Sequence, residues 1–422
     1  MLSLLRGKDN NTCVNCKVEL AKYALIFRNG QKIITFVIRM KKLFLFNPEN
    51  DMALASGSPY YMAPASAKKM AADLSTLPMW YADAGSDVWV ADARQVEWMA
   101  SGCRLPLPVS GVTEATSDYD EISAWAWSSA LLHRLETSGV KSGIPSFCNR
   151  MEDIRTLSSR RIAVDLLPKL RMDGTEGESV WLTSLENVEA FALKHRKVLL
   201  KAPWSGSGKG IQPLSGLPDD NLKGWTRRII ASQGGVVGEP FYQKIIDFAM
   251  EFKVTDHGVE RAGYSLFEAD ARGIYKENLL ASDDAIETKL AEYVSRDLLG
   301  GIWERLQEEL QALLCDAYRG YLGVDMMVVQ TDGGYAVHPC VEVNLRMNMG
   351  VLSRLLFDRY ISPEACGRYV IEYYSRPGEA LKAHQEMMEK HPLRLHEGKI
   401  EEGYLSLTPV FEDTNYQIYM VI

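Results

Sequence analysis

The 422-residue sequence predicts a mixed α/β and α+β protein, in which a parallel α/β unit leads into antiparallel sheets. Three observations carry this. From 43 to about 150, short apolar runs alternate with helical patterns, the alternation that builds a parallel sheet covered by helices. From about 236 to 344, β-rich runs pair off around turn residues, as in antiparallel hairpins. Between these regions a loop rich in glycine and serine, SGSGKG at 205–210, follows directly on a short apolar strand.

Bulk properties bound the function classes. Hydrophobic residues make up 46% and charged residues 24%, an ordinary globular balance. The net charge of -8 argues against a general nucleic-acid binder, which needs a basic face to neutralise phosphates. No apolar run reaches the ~18 residues of a membrane span, and the N-terminus lacks the pattern of a signal peptide. A cytoplasmic location is expected. The seven cysteines are spread thinly. Cys13 and Cys16 form a C-x-x-C, but no second pair or histidines at ligand spacing lie nearby to complete a zinc site. The other cysteines read as buried thiols in a reduced compartment.

The elements follow in order. Residues 1–39 stand apart as an N-terminal extension or as an extra hairpin on the first domain. Asn29-Gly30 between two β-rich runs signals that hairpin. A first domain spans 40–145, where LFLF (43–46) and DVWVAD (87–92) read as buried strands and 123–139 as a helix ended by Gly139. A second spans 146–360. In it 158–170 is an amphipathic helix with Ser158 or Ser159 as N-cap. SVWLTS and KVLLKAP are strands around the helix LENVEAFALKHR. DDNLKGWTRRIIASQ is a helix whose first-turn acids suit its dipole. GVVGEPFYQ and MEFKVTDHGVERAGYSLFEA are antiparallel strands, 303–322 is a long helix, and GVDMMVVQTDGGYAVHPCVEVN is a hairpin turning at Asp332-Gly333-Gly334. Helices and strands of 361–422 pack on this core.

The glycine-rich loop is not a Walker A loop. Gly208-Lys209 supplies the GK pair, but Gly210 brings no hydroxyl and Pro203 stands where the first glycine belongs. The dinucleotide pattern G-x-G-x-x-G fails as well. What remains is a loop whose glycines let backbone N–H groups approach an anion. Lys201, at the end of the preceding apolar strand, strengthens that reading, because a buried ammonium needs a partner.

A second constellation lies in the 323–350 segment. Asp325 sits in one apolar run and Glu342 in another, across the hairpin. Glu342, Asn344 and Arg346 share strand parity and can point one way. If the hairpin pairs Asp325 with the 342 region, two carboxylates and an amide converge into an oxygen-rich site that suits Mg2+. Arg346 then faces the transferring phosphoryl group. A purely structural acid–arginine cluster on apolar strands would be expensive.

KAPWSGSGKGI, then VVGEPFYQ, then VD…VEVNLR resembles the ATP-grasp superfamily in motif order and spacing, with biotin-carboxylase-like and amino-acid-ligase-like members nearest in pattern. The resemblance covers roughly 145–350. It implies the ATP-grasp fold, two α+β subdomains clasping ATP with a lid at about 178–245, preceded by a pre-ATP-grasp parallel α/β domain at 40–145. It implies that Lys201 contacts the α/β-phosphates and that Ser205, Gly206, Ser207, Gly208, Lys209 and Gly210 close over the β/γ-phosphates. Leu199 and Met327 then sandwich the adenine, and Glu239 receives its amino group beside the backbone of Phe241 and Tyr242. Asp247 accepts from the ribose. Asp325, Glu342 and Asn344 hold Mg2+, with Mn2+ as the alternative metal, and Arg346 steadies an acyl phosphate. Many members carry a second lysine before the phosphate loop. Here Arg160 and Arg161 stand in that region, and the sequence leaves open which one faces nucleotide.

The expected activity is an ADP-forming ligase that activates a substrate carboxylate as an acyl phosphate for attack by an amine, a thiol or a similar nucleophile. A phosphotransferase acting on another acceptor and a non-catalytic ATP-binding module are the competing readings. The Asp325/Glu342/Asn344/Arg346 set speaks against the module, since a pure binder needs no arginine at the γ-phosphate. Arg272, Lys276 and Asn278 are candidates for binding a substrate anion, against the alternative of an exposed loop. The polar stretch 46–57 after the first strand sits where open α/β sheets bind ligands. Small-molecule substrates are the expected partners, without nucleic acid or membrane, and a homodimer is an admissible assembly.

Overall fold

The computed structural model describes residues 23–28, 31–36, 40–205, 210–269, 275–314 and 316–422. The chain separates into two compact units, Met1–Lys41 and Lys42–Ile422. In the first, strands Tyr23–Arg28 and Gln31–Phe36 pair antiparallel, with Arg28 opposite Gln31. This is the hairpin that Asn29-Gly30 signals.

The second unit begins with a four-stranded parallel sheet in the order Ser110–Val112, Asp87–Trp89, Lys42–Leu45, Glu121–Ala124. One expectation is corrected here. The helix read at 123–139 is only Ser129–Thr137, and residues 121–124 are a strand. Pairing of Leu43 to Leu45 with Ile122 to Ala124 overrides the helical pattern. Ser128 then caps the shortened helix, accepting from the Leu131 N–H at 3.3 Å.

Next comes a small antiparallel sheet, ordered Val180–Leu182, Val236–Pro240, Lys197–Lys201, Ile211–Ser215. Helices Leu185–His195 and Asp220–Gln233 belong to the same segment. It has its own core, built on Val188, Val198, Leu200 and Val236. Ahead of it, the helix read at 158–170 is Arg161–Leu166 followed by a 3-10 turn, Leu167–Leu170. Pro168 lacks the N–H that would carry the α-helix onward. The helix N-cap is Arg160, with no side-chain cap, and not Ser158 or Ser159, although Ser159 Oγ accepts from the Arg161 N–H at 3.3 Å.

The largest element is an eight-stranded antiparallel sheet. Its order is Gly334–Asn344, Gly320–Thr331, Lys244–Thr255, Gly258–Ala269, Tyr275–Leu280, Gly367–Tyr373, Tyr416–Val421, Tyr404–Ser406. The C-terminal segment thus extends this sheet edge to edge. The long helix is Arg296–Leu314, not 303–322. Its buried stripe, Leu299, Ile302, Trp303, Leu306, Leu310 and Leu314, starts earlier than the sequence reading placed it. Tyr321 and Leu322 are instead claimed by strand pairing with Lys253 and Phe252. Helix Met349–Tyr360 packs against the Gly258–Ala269 and Tyr275–Leu280 strands. No helix among the described residues is long and apolar enough to cross a membrane.

Candidate active site

The site is organised by the register of one hairpin. Thr331 pairs with Gly334 around Asp332-Gly333, and further along Asp325 stands opposite Glu342 and Gly323 opposite Asn344. Directly opposed residues of an antiparallel pair share a face with Cβ atoms ~5 Å apart. The two carboxylates and the amide therefore meet. Asn344 Nδ2 donates to Asp325 Oδ2 at 3.0 Å, which leaves the Asn344 carbonyl oxygen as an acceptor. Burial pushes the Asp325 carboxyl up to about 7, and the Glu342 charge pushes the same way. The Asn344 hydrogen bond and Arg346 oppose them.

Among the described residues no group of three or more His, Cys, Asp or Glu forms a metal cluster. Two carboxylates and an amide oxygen nevertheless fit Mg2+, a hard cation that takes its remaining ligands from phosphate and water. The upward pressure on Asp325 comes first from burial and then from the neighbouring Glu342 charge.

Arg346 lies beyond the strand, which ends at Asn344. Its guanidinium makes a two-pronged contact with Asp51: Nε donates to Oδ1 at 3.1 Å and Nη2 to Oδ2 at 3.0 Å. Asp51 sits on helix Asn50–Ser56, in the polar stretch after the first strand. Burial opposes the arginine's charge, but Asp51, Glu342 and Asp325 outweigh it and hold Arg346 protonated. A narrow cleft opens here, lined by Asn50, Asp51, Trp204, Ser205, Glu342, Asn344 and Arg346 among others.

Lys201 and Glu239 are almost fully buried, with side chains 6% and 3% exposed, and Nζ lies 2.5 Å from Oε2. Leu199 pairs with Glu239 in the same sheet. Of the phosphate-loop residues, Gly206, Ser207, Gly208 and Lys209 lie outside the described residues. At the loop base the Ala202 N–H donates to the Gly210 carbonyl at 2.8 Å. A Cβ on Gly210 would crowd the Ser205 side chain.

The two arginines separate cleanly. Buried Arg160 donates from Nη1 to the Ala202 carbonyl at 2.8 Å and to Ser205 Oγ at 2.6 Å. Its Nη2 lies 3.0 Å from each Glu342 carboxylate oxygen. Arg160 thus bridges the phosphate loop and the acidic pair. Arg161 instead lies over the Trp181 ring, 5.5 Å from its centroid.

The remaining candidates are scattered more widely. Phe241 is exposed. The Tyr242 hydroxyl accepts from the Glu178 N–H at 2.7 Å, and burial raises its pKa. Met327 pairs with Asp247 on one side and His338 on the other. Burial raises the Asp247 pKa, against the pull of Lys244, which donates to it. Arg272 lies outside the described residues. Lys276 and Asn278 belong to the Tyr275–Leu280 strand rather than to a loop. Asn278 is buried and donates to Ser265 Oγ at 2.7 Å. Three strand spacings, ~14 Å, separate it from Met327, so it does not join the acidic pair.

Several polar groups were not singled out from the sequence. Besides Asp51, Glu251 is 1% exposed and accepts from Asn348 Nδ2 at 2.9 Å. It stands opposite Gly323, on the face that carries Asp325. Its signal was the one that marked Asp325, a lone acid in an apolar run. His338 is fully buried beside the Tyr242 ring, and neither ring nitrogen has a partner. Burial lowers its pKa to about 4, which leaves it neutral. Of the cysteines, Cys148 and Cys340 are buried, Cys103 is partly so and Cys366 is exposed, against the expectation for the last. Cys13, Cys16 and Cys315 lie outside the described residues.

No protein-family model matches the sequence, and neither does any curated protein. Solved structures do match in fold. Biotin carboxylase from Campylobacter jejuni, in its β-γ-ATP complex, superposes with a TM-score of 0.50 at 11% identity, over 91% of this chain and 87% of that one. N5-carboxyaminoimidazole synthase from Aspergillus clavatus, with ADP and 5-aminoimidazole ribonucleotide, gives 0.45 at 13% identity, over 90% and 93%. The biotin carboxylase domain of 2-oxoglutarate carboxylase from Hydrogenobacter thermophilus, with MgADP and bicarbonate, gives 0.48 at 12%, over 91% and 86%. The chain has the ATP-grasp fold.

Proposed function

We propose that the protein is an ATP- and Mg2+-dependent ligase that activates a substrate carboxylate as an acyl phosphate and couples it to an amine or similar nucleophile. The observation that carries this reading is the convergence of Asp325, Glu342 and Asn344 through the hairpin register, with Arg160 joining Glu342 to the phosphate loop. The biotin carboxylase of the same fold was solved with a β-γ-ATP ligand, which agrees with nucleotide binding here.

The roles are those that the resemblance to the ATP-grasp superfamily implies. Lys201, on the strand before the loop, places an ammonium beside the α/β-phosphates, sharing it with Glu239. Ser205 and Gly210 flank the β/γ-phosphates. Leu199 and Met327 flank the adenine, Glu239 with the Phe241 and Tyr242 backbone meets its edge, and Asp247 accepts from the ribose. Arg160, which holds Glu342 and the base of the glycine-rich loop, would lie beside the phosphate oxygens. Arg161, held over Trp181, has no such part. Bound Mg2+, held by Asp325, Glu342 and Asn344, would supply positive charge against the phosphate oxygens.

A substrate carboxylate oxygen attacks the γ-phosphorus in line, and the bond from that phosphorus to the bridging oxygen breaks, releasing ADP. The nucleophile then adds to the acyl carbon, loses its proton, and phosphate leaves with the bonding pair. Arg346 spreads the negative charge that builds up in both steps, a role that can be worth ~10³-fold or more for an arginine at a transferring phosphoryl group.

The test is Glu342→Gln in the full chain. It is expected to abolish Mg2+-dependent ADP formation. Wild-type rates in that variant would remove the metal assignment, and no thermal stabilisation of the wild type by Mg·ATP would remove the nucleotide site itself.

A further inference from the structure

We propose that Asp51 is a positioning residue for Arg346, so that the loop and helix after the first strand of the parallel sheet set the geometry of the transfer chemistry. The proposal rests on the ligase reading above. A guanidinium offers two hydrogen-bonding edges, Nε with Nη2 and Nη1 with Nη2. Asp51 occupies the first, at 3.1 and 3.0 Å. The second carries only a long contact from Nη1 to the Met347 carbonyl, at 3.5 Å. The edge left open is the one that matches an oxyanion in a bidentate pose.

Arg346 needs such a holder. It lies past the end of its strand, so sheet pairing does not orient it. It also stands in the field of Glu342 and Asp325. Arg160 already holds Glu342, so without a competing carboxylate the Arg346 guanidinium would be drawn towards Asp325. Asp51 draws it the other way.

The holder is itself well fixed. Asn47 exchanges two hydrogen bonds with the backbone of Ala126, at 2.9 and 3.2 Å, which sets the start of the loop. Arg155 Nε donates to the Leu54 carbonyl at 2.7 Å, holding the helix that carries Asp51. That same guanidinium stacks on Trp204 at 4.1 Å, and Trp204 Nε1 donates back to the Arg155 carbonyl at 2.8 Å. On the other side, the Met347 N–H donates to the Trp125 carbonyl at 2.9 Å. Both partners of the fork are thus tied to the parallel-sheet domain, and a positioned side chain is only as accurate as its support.

The experiment compares Asp51→Asn and Asp51→Glu with the wild type, measuring kcat, KM for ATP and the melting shift caused by Mg·ATP. Asp51→Asn is expected to lower kcat by about a hundredfold, the scale of a misplaced catalytic group. KM for ATP and the Mg·ATP shift should stay at wild-type values, and Asp51→Glu should recover part of kcat. An Asp51→Asn protein with wild-type kcat and a lower melting temperature would show a merely structural contact and overturn the proposal. A wild type that neither binds Mg·ATP nor releases phosphate with any carboxylate would overturn the ligase reading, and the positioning role with it. A wild type that turns over while Asp51→Asn keeps pace would overturn the positioning role alone.

Discussion

Replacing Lys201 with Met separates two consequences of one buried charge. Lys201 and Glu239 are 6% and 3% exposed and meet at 2.5 Å. Removing the ammonium leaves a carboxylate in the interior without its counter-ion, at a cost of ~3–5 kcal/mol. At about 2.1 cal/mol/K of unfolding entropy per residue, 1 kcal/mol moves the melting temperature of a chain this long by roughly 1 °C, so the nucleotide-free melting temperature should fall by roughly 3–6 °C. Replacing both partners, Lys201→Met with Glu239→Gln, removes the uncompensated charge, and most of that loss should return. Nucleotide binding should behave differently. A charge-assisted hydrogen bond to phosphate is worth ~1.5–3 kcal/mol, so Lys201→Met should weaken Mg·ATP binding by roughly 10- to 100-fold, and the double variant should stay weak. Thermal denaturation without nucleotide and calorimetric titration with Mg·ATP read the two effects apart. A double variant that binds Mg·ATP as tightly as the wild type would take Lys201 out of the phosphate site. A single variant with an unchanged melting temperature would refute the buried ion pair.

The arginine pair and the buried glutamate give two further tests. Arg160→Ala removes the bridge from Ser205 and Ala202 to Glu342 and should weaken Mg·ATP binding. Arg161→Ala loses one cation–π contact, worth ~1 kcal/mol or less, and should bind Mg·ATP normally; equal losses in the two titrations would count against this division. Glu251 has its carboxyl pushed up to about 8, chiefly by burial. The folded state therefore binds a proton that the unfolded chain releases above its ordinary value of 4.5. Stability from this group is complete below that value and is lost as pH rises through about 8. Glu251→Gln should flatten the fall in melting temperature between roughly pH 5 and 8; an unchanged slope would show that Glu251 is not the group titrating.

Much of the site was legible because its signals are local. The turn at Asp332-Gly333 and the alternation of two apolar strands announce the hairpin, but register counted from the turn sets Asp325 opposite Cys340, and the irregularity between Asp325 and Met327 is what shifts it by two residues onto Glu342. The strand ending at Lys201 is equally short-range. The misplaced boundaries also have local causes with distant winners. Ser123 and Ala124 fall in the helical pattern read at 123–139, yet they pair with Phe44 and Leu45, and Tyr321 and Leu322 are drawn from a helix into pairing with the Lys244–Thr255 strand. Intrinsic helix preference amounts to tenths of a kcal/mol per residue, which a buried strand pairing easily exceeds.

Which neighbour a side chain meets across the fold is a different matter. Arg160 and Arg161 are adjacent and chemically identical in sequence, but the turn into helix Arg161–Leu166 sends one to Glu342 and the other to Trp181. Strand parity aims Arg346 with Glu342 and Asn344, yet the strand stops at Asn344 and Asp51, on the distant helix Asn50–Ser56, captures the guanidinium. Periodicity and turn chemistry act over a few residues, so composition and order suffice to read them. Charge pairing acts through space, and its partners are chosen only when packing brings distant segments within a few ångströms.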